Sequence, residues 1–177
     1  MFRHIPNALT IFRILLIPVF LHLIFSSNYY GALAVFAVAG ATDGLDGYIA
    51  RRWNLGSELG ANLDPLADKL LLTSAFVSLT YMGLVPVWLC VPVIARDAAI
   101  LAGVLALRAT GRTVRIAPTI SGKLTTVLQI ATVLMAMLFT KNQPALFLPL
   151  AALTLLFTIY SGLDYALREI KTQKKAG

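Results

Sequence analysis

Charged residues are scarce in this sequence. Asp, Glu, Lys and Arg make up 13% of the 177 residues, whereas 58% are hydrophobic and the mean hydropathy is +0.79. A soluble domain is about one quarter charged, so a chain of this composition cannot cover its surface with polar groups. The shortage of charge excludes an ordinary water-soluble domain and predicts that a lipid bilayer is the solvent.

Cysteine and acidic residues are also in short supply. The single cysteine, Cys90, lies in an apolar run, which excludes an internal disulfide and favours a packing role. Eight acidic residues against 15 basic ones give a net charge of +7. In a membrane chain, the positive-inside rule and attraction to anionic lipid heads explain such a balance. We therefore expect membrane lipids as partners and no nucleic acid.

Long apolar segments are what the sequence has in abundance, and each is long enough for a membrane-crossing helix of about 20 residues. The predicted spans are roughly 8–26, 30–50, 65–82, 85–107, 121–140 and 144–164. The predicted fold class is all-α, a bundle of six transmembrane helices in a single domain, 1–177. A short amphipathic helix at 7–13 is expected to lie along the membrane interface. A signal peptide is the weaker interpretation of this end, because several further spans follow it.

The basic residues predict the orientation of the bundle. They gather before the first span and after the second, fourth and sixth, whereas the loops after the first and third spans have none. Basic loops stay in the cytoplasm, so an even number of spans with both termini cytoplasmic satisfies the pattern. Residues 168–177 are predicted to form a basic cytoplasmic tail.

Four of the eight acidic residues form two closely spaced pairs. Asp43 and Asp46 are three apart near the end of span two, and Asp64 and Asp68 are four apart near the start of span three, so each pair shares a helix face. A carboxylate inside a membrane span is unfavourable by about 2.5–3.5 kcal/mol, so these groups need compensation. The connecting loop is short, and we expect the two acidic faces to meet.

Converging carboxylates repel one another, and divalent cations relieve that repulsion. An all-oxygen donor set suits Mg²⁺ or Mn²⁺ rather than zinc, and four carboxylates exceed what one Mg²⁺ usually takes, so two ions are expected. Glycines such as Gly47 and Gly60 allow close approach of a ligand, and Arg51 can bind a diphosphate. The sequence therefore predicts a metal-dependent diphosphate site at the membrane surface.

Each part of this site has a simpler interpretation on its own. Asp64 precedes Pro65 and is suited to capping a helix that begins there. Arg51 fits the positive-inside rule, and glycines spaced four apart fit helix packing. None of these interpretations accounts for Asp43, Asp46 and Asp68, so the metal site is the preferred hypothesis.

The same residues resemble the signature of the CDP-alcohol phosphotransferase family. The signature is matched by the run DGLDGYIAR at 43–51, followed by Gly60, Asp64 and Asp68 at the required intervals. Further similarity lies in the run IPNALT at 5–10 with Arg13 and Pro18, and in the run SGK at 121–123 with Thr125 and Gln129.

The resemblance implies a six-helix fold, a homodimer, and a site open to the cytoplasmic interface. It implies that Asp43, Asp46, Asp64 and Asp68 hold two metal ions on the diphosphate of a CDP-lipid, with Asp68 also acting as the general base. The residues implied to line the CDP-lipid are Gly47, Ala50, Arg51 and Gly60.

Two branches of the family are compatible with the resemblance. One adds the phosphatidyl group of CDP-diacylglycerol to glycerol 3-phosphate, and the other adds it to phosphatidylglycerol and makes cardiolipin. The pair Arg96-Asp97 and the run APTIS at 117–121 slightly favour cardiolipin formation, and Val104 stands where the first branch usually has an arginine. Candidate acceptor-binding residues in either case are Arg96, Arg112, Arg115 and Lys123. The alternative for Arg96 is a structural pair with a carboxylate.

Two other classes compete with this hypothesis. A small membrane transporter also carries charges inside the membrane, but these carboxylates gather at one face instead of following a path across the bilayer. A membrane prenyltransferase also binds a diphosphate through Mg²⁺, but it needs more spans and a different acidic spacing. We expect a multi-pass protein of the plasma (inner) membrane with its site at the cytoplasmic face.

Overall fold

A computed structural model describes the chain over residues 5–53, 58–109, 119–139 and 144–176, and the side chains within 11–42, 67–103, 119–139 and 145–167. Every regular element in these ranges is a helix, which confirms the all-α prediction. The helices are α1 (Ile5–Phe25), α2 (Tyr29–Trp53), α3 (Glu58–Tyr81), α4 (Val87–Ala109), α5 (Ile120–Phe139) and α6 (Pro144–Ala176). They form two compact units, Met1–Leu84 with α1 to α3 and Val85–Gly177 with α4 to α6.

In the first unit, α1 packs against both α2 and α3. The Phe20 and Phe36 rings lie 5.9 Å apart between their centroids, on either side of the turn that joins α1 to α2, so these helices form an antiparallel hairpin. The Phe25 and Tyr81 rings meet edge to face at the carboxyl ends of α1 and α3, with centroids 5.8 Å apart. The helices α1 and α3 therefore run parallel and end at the same level.

Both of these helices end in the same kind of cap. The amide of Asn28 donates to the carbonyl of Leu23 after a left-handed residue, Ser27, with φ of 59°. The amide of Leu84 donates likewise to Leu79 after Gly83, with φ of 73°. This is the Schellman arrangement, in which a residue with positive φ reverses the chain and satisfies the last carbonyls.

In the second unit, α6 packs against both α4 and α5. The buried hydroxyls of Thr132 and Thr154 lie 2.8 Å apart, and Thr125 Oγ1 lies 3.0 Å from the Phe157 carbonyl oxygen. These contacts link α5 to α6 through short polar side chains, as is common where helices pack without help from water.

Large apolar side chains are exposed on every one of these helices, among them Leu15 at 62% and Leu156 at 64%. A soluble protein rarely leaves so much apolar surface open, whereas the outer face of a membrane helix meets lipid. Two segments of the described chain, Ile120–Phe139 and Ala145–Leu167, are long and apolar enough to cross a bilayer, and Ile11–Phe25 and Tyr29–Thr42 are shorter apolar helices. The prediction of six spans with both termini in the cytoplasm therefore stays a prediction.

The helix bounds correct three details of the sequence-based expectations. Residues 7–13 form the first turns of α1 and not a separate interfacial helix, because Pro6 stands in the first turn, where proline is tolerated, and the chain continues without a break. Helix α3 begins at Glu58, so Asp64 lies inside it and does not cap it, and Gly60 is helical instead of belonging to a loop. Helix α6 continues through the predicted tail to Ala176.

Candidate functional site

In the hairpin of α1 and α2, the acidic position 43 lies at the same height along the helix axes as the buried Arg13. Arg13 lies seven residues before Phe20 in α1, and position 43 lies seven residues after Phe36 in α2. Because the two helices are antiparallel and the two phenylalanines meet, positions 13 and 43 lie at the same level, about 10 Å along the axes from the phenylalanine pair.

Helix α3 is joined to α1 by an ion pair at the height of Arg13. Arg13 Nη1 donates to Asp68 Oδ1 at 2.5 Å, which joins α1 to α3. The Arg13 side chain is 1% exposed and the Asp68 side chain is 43% exposed. The arginine is thus enclosed by protein, whereas the carboxylate that it holds stays accessible from outside.

The remaining acidic positions lie within about one helical turn of this level. Position 46 follows 43 by three residues in α2, and position 64 precedes Asp68 by four residues in α3. The helical placement of all four positions agrees with the spacing argument. The side chains of Asp43, Asp46 and Asp64 lie outside the described residues, as do those of Gly47, Ala50, Arg51 and Gly60.

The chemistry of this donor set fits a hard divalent cation. The set consists of carboxylates, whose oxygens are the ligands that Mg²⁺ and Mn²⁺ prefer. Asp68 keeps an accessible carboxylate although it is already paired with Arg13. Among the residues whose side chains are described, no group of three or more possible ligands occurs, because Asp68 is the described member of the quartet. The two-ion site thus stays a prediction.

A second polar cluster lies inside the unit of α4 to α6, around Arg96. Its Nη1 donates to Asp97 Oδ1 at 2.7 Å and its Nη2 donates to Ser161 Oγ at 2.5 Å. Both charged side chains are 8% exposed. A Cβ added to Gly122 would lie 3.3 Å from Arg96 Nη2, so α5 also comes close to the guanidinium. The structure pairs Arg96 with a carboxylate, which is the alternative that the sequence left open.

The start of α5 carries a network beside this arginine. Thr119 caps the helix, because its Oγ1 accepts from the amide of Gly122 at 3.1 Å. The Ser121 hydroxyl donates to Asp164 Oδ2 on α6 at 2.9 Å. Together with the bond from Arg96 to Ser161, this network ties both α4 and α5 to α6 by polar contacts.

The other predicted acceptor-binding residues have different outcomes. Lys123 lies in the first turn of α5 with an exposed side chain. Arg112 and Arg115 lie outside the described residues. A shared acceptor site of these four cations therefore stays a prediction.

Sequence reasoning missed several residues of these two clusters. The sequence singles out Arg13 only through the similarity at the amino end, although an arginine between Phe12 and Ile14 already departs from an apolar helix. Ser161 and Asp164 gave no signal, since a lone serine and a lone aspartate near a helix end are ordinary residues. Their roles become visible only when α4, α5 and α6 are packed.

Comparison with known proteins places this chain among enzymes named for CDP-lipid chemistry. Human cardiolipin synthase (CMP-forming) is 51% identical over 105 residues, which are 59% of this chain and 35% of that protein. The CDP-diacylglycerol–glycerol-3-phosphate 3-phosphatidyltransferase of Bacillus subtilis is 35% identical over 181 residues, covering 92% of this chain and 93% of that protein. A probable phosphatidylglycerophosphate synthase of Mycobacterium tuberculosis is 34% identical, covering 95% and 82%.

The extent of these matches differs between the relatives. The chain spans about a third of the length of the human and rat cardiolipin synthases, 35% in each case. It spans nearly all of the Bacillus subtilis protein. The model of the CDP-alcohol phosphatidyltransferase family matches residues 3–160, which include α1 to α5 and the residues Arg13, Asp68 and Arg96. This chain belongs to the CDP-alcohol phosphatidyltransferase family.

Proposed function

We propose that this protein transfers a phosphatidyl group from CDP-diacylglycerol to a glycerol-type alcohol, with release of CMP, in the synthesis of anionic phospholipids. The observation that carries the proposal is the position of Asp68. Its accessible carboxylate is paired with Arg13, and Asp68 is one of the four acidic residues of the family signature on α2 and α3.

The residues divide the work of the proposed reaction. Asp68 accepts the proton of the acceptor hydroxyl at a carboxylate oxygen, and the acceptor oxygen forms a bond to the phosphorus that carries the diacylglycerol. The bond from that phosphorus to the bridging oxygen breaks, and CMP leaves with the electron pair. Divalent ions held by Asp43, Asp46, Asp64 and Asp68 would neutralise charge on the diphosphate. Most of the rate would come from positioning and charge neutralisation.

The donor side of the site rests on family membership. Gly47, Ala50, Arg51 and Gly60 are the residues proposed to line the CDP-lipid. They lie in the helical segments that also carry the acids, on α2 for the first three and on α3 for Gly60. A small residue there allows close approach of the nucleotide, and a guanidinium can bind its phosphates.

The acceptor that we favour slightly is phosphatidylglycerol, which would give cardiolipin. Its support is the similarity to proteins named cardiolipin synthase, together with the sequence features at 96–97 and 117–121. Glycerol 3-phosphate is the second candidate. The match to the relative named for glycerol 3-phosphate covers 92% of this chain. It supports glycerol 3-phosphate as directly as the cardiolipin synthase names support phosphatidylglycerol.

The acceptor-binding candidates from the sequence have different surroundings. Arg96 is engaged by Asp97 and Ser161, so we propose that it shapes the acceptor side by holding α4 to α6. Lys123 is exposed and is proposed to bind an acceptor phosphate, with Arg112 and Arg115 as further candidates. The proposed location is the plasma (inner) membrane, with the site toward the cytoplasm, and a homodimer stays a prediction.

One experiment tests the function and separates the acceptors. Purified protein in detergent receives CDP-diacylglycerol and Mn²⁺ or Mg²⁺ with either phosphatidylglycerol or glycerol 3-phosphate, while CMP and the lipid product are measured. We expect CMP release with one preferred acceptor and loss of activity after chelation of the metal. No CMP release with either acceptor would contradict the proposal and favour the transporter alternative.

A further inference from the structure

Arg13 is a charged residue whose side chain is buried within an apolar helix, where charged residues are rare in membrane proteins. It lies between Phe12 and Ile14, which are 43% and 37% exposed, whereas its own side chain is 1% exposed. A basic residue that only obeys the positive-inside rule extends its charge toward water. The enclosed guanidinium therefore has another reason to be there.

The geometry of its pair with Asp68 indicates that reason. Arg13 Nη1 donates to Asp68 Oδ1 at 2.5 Å, which is a charge-assisted hydrogen bond between two different helices. The arginine is closed off from outside while the carboxylate is 43% exposed. A ligand can thus reach Asp68, and Arg13 can act on that ligand through Asp68.

We propose that Arg13 is a positioning residue that fixes the orientation of the Asp68 carboxylate toward the metal and the acceptor hydroxyl. The inference rests on the proposed function, because it assigns Arg13 to the same site. In this arrangement α1 acts on the site through Arg13. It carries the guanidinium that keeps the α3 carboxylate in one orientation and balances part of the acidic charge at this level.

This role predicts that Arg13→Gln lowers the turnover rate without weakening metal binding. In Arg13→Gln the carboxylate loses its fixed orientation, and a misplaced group can lower kcat by about 10- to 100-fold. The same substitution removes a positive charge beside the carboxylates, so Mn²⁺ should bind as tightly as in wild type or about threefold more tightly. A purely structural contact would instead lower kcat and weaken Mn²⁺ binding together, since both need a folded site.

The test measures Mn²⁺ binding separately from turnover. Free Mn²⁺ is followed by electron paramagnetic resonance during titration of the full-length protein in detergent, without lipid substrate, and kcat and KM are measured on the same preparations. Arg13→Lys is the second variant, because it keeps the charge but not the planar guanidinium. We expect it to recover part of kcat and to bind Mn²⁺ as wild type does.

Arg96→Gln is the matched control, because it removes another buried arginine from a pair with an aspartate. It should lower the unfolding temperature in detergent as Arg13→Gln does, but it should leave the Mn²⁺ dissociation constant unchanged. An Arg13→Gln protein with wild-type kcat, or one that loses Mn²⁺ binding in step with kcat, overturns the positioning role.

The two proposals fail in different ways. If wild-type protein binds Mn²⁺ and releases CMP while Arg13→Gln behaves like wild type, only the role of Arg13 is wrong. If wild-type protein neither binds Mn²⁺ nor releases CMP, the proposed function is wrong and the inference that rests on it is overturned too.

Discussion

At the scale of single residues, two arginines differ from the ordinary basic residues of a membrane protein because their side chains are buried. The sequence alone does not distinguish them. Arg13 and Arg96 are each enclosed and each paired with an aspartate, but their partners differ. Asp68 is 43% exposed and Asp97 is 8% exposed. The first pair leaves a carboxylate available for chemistry, and the second closes its carboxylate inside the unit.

Asp68→Asn tests the residue on which the proposed reaction depends. The amide keeps the shape of the side chain but cannot take the proton of the acceptor hydroxyl, so kcat should fall by about 100-fold or more. The measurement is CMP release from CDP-diacylglycerol at saturating acceptor, with the unfolding temperature in detergent as the control for folding. Turnover at the wild-type rate would remove the assignment of Asp68 as the base.

At the scale of elements, the caps that end α1 and α3 offer a matched pair of substitutions. Ser27 has φ of 59°, which is strained for a residue with a side chain, whereas Gly83 has φ of 73° and adopts it without strain. Ser27→Gly should raise the free energy of unfolding by about 0.5 kcal/mol, and Gly83→Ala should lower it by about 1 kcal/mol.

The control for this pair is Gly40→Ala, in the middle of α2. A Cβ at Gly83 or at Gly40 meets nothing within 4 Å, so the two alanine substitutions differ in backbone conformation and not in space. Gly40→Ala should raise the free energy of unfolding, by about 1 kcal/mol at most. The measurement is unfolding in mixed detergent micelles. Equal destabilisation by both alanines would show that the left-handed cap is not the cause.

The elements also show where sequence reasoning succeeds and where it fails. The lengths of the apolar segments predicted the six helices that the structure describes, because a run of about 20 apolar residues is a property of the chain alone. The sequence predicts the start of α3 too late, because Asp64-Pro65 is typical of a helix start. In the structure the helix begins at Glu58 and continues through both residues. The prediction of a separate helix at 7–13 was also wrong, because α1 continues through this segment without interruption.

At the scale of the whole molecule, the predicted orientation in the membrane rests on the charge pattern and has a direct test. The exposed turn at Ser26 joins α1 to α2 and carries no basic residue, and the predicted tail at 168–177 is basic. In a Cys90→Ala background, Ser26→Cys should react with an impermeant maleimide in intact bacterial cells. Lys174→Cys should react only after the cells are permeabilised. The opposite result would reverse the predicted orientation.

The sequence by itself determined the helical class, the scarcity of charge that calls for a bilayer, and the spacing of the four acids, because each depends on residues close together in the chain. It also carried the family signature. The tertiary structure alone decided which partner each buried charge has. Arg13 and Asp68 are 55 residues apart and meet because α1 and α3 pack in parallel at one register. Arg96 meets Ser161, 65 residues away, because α4 packs against α6. Such pairs depend on how helices dock, and no local pattern encodes that.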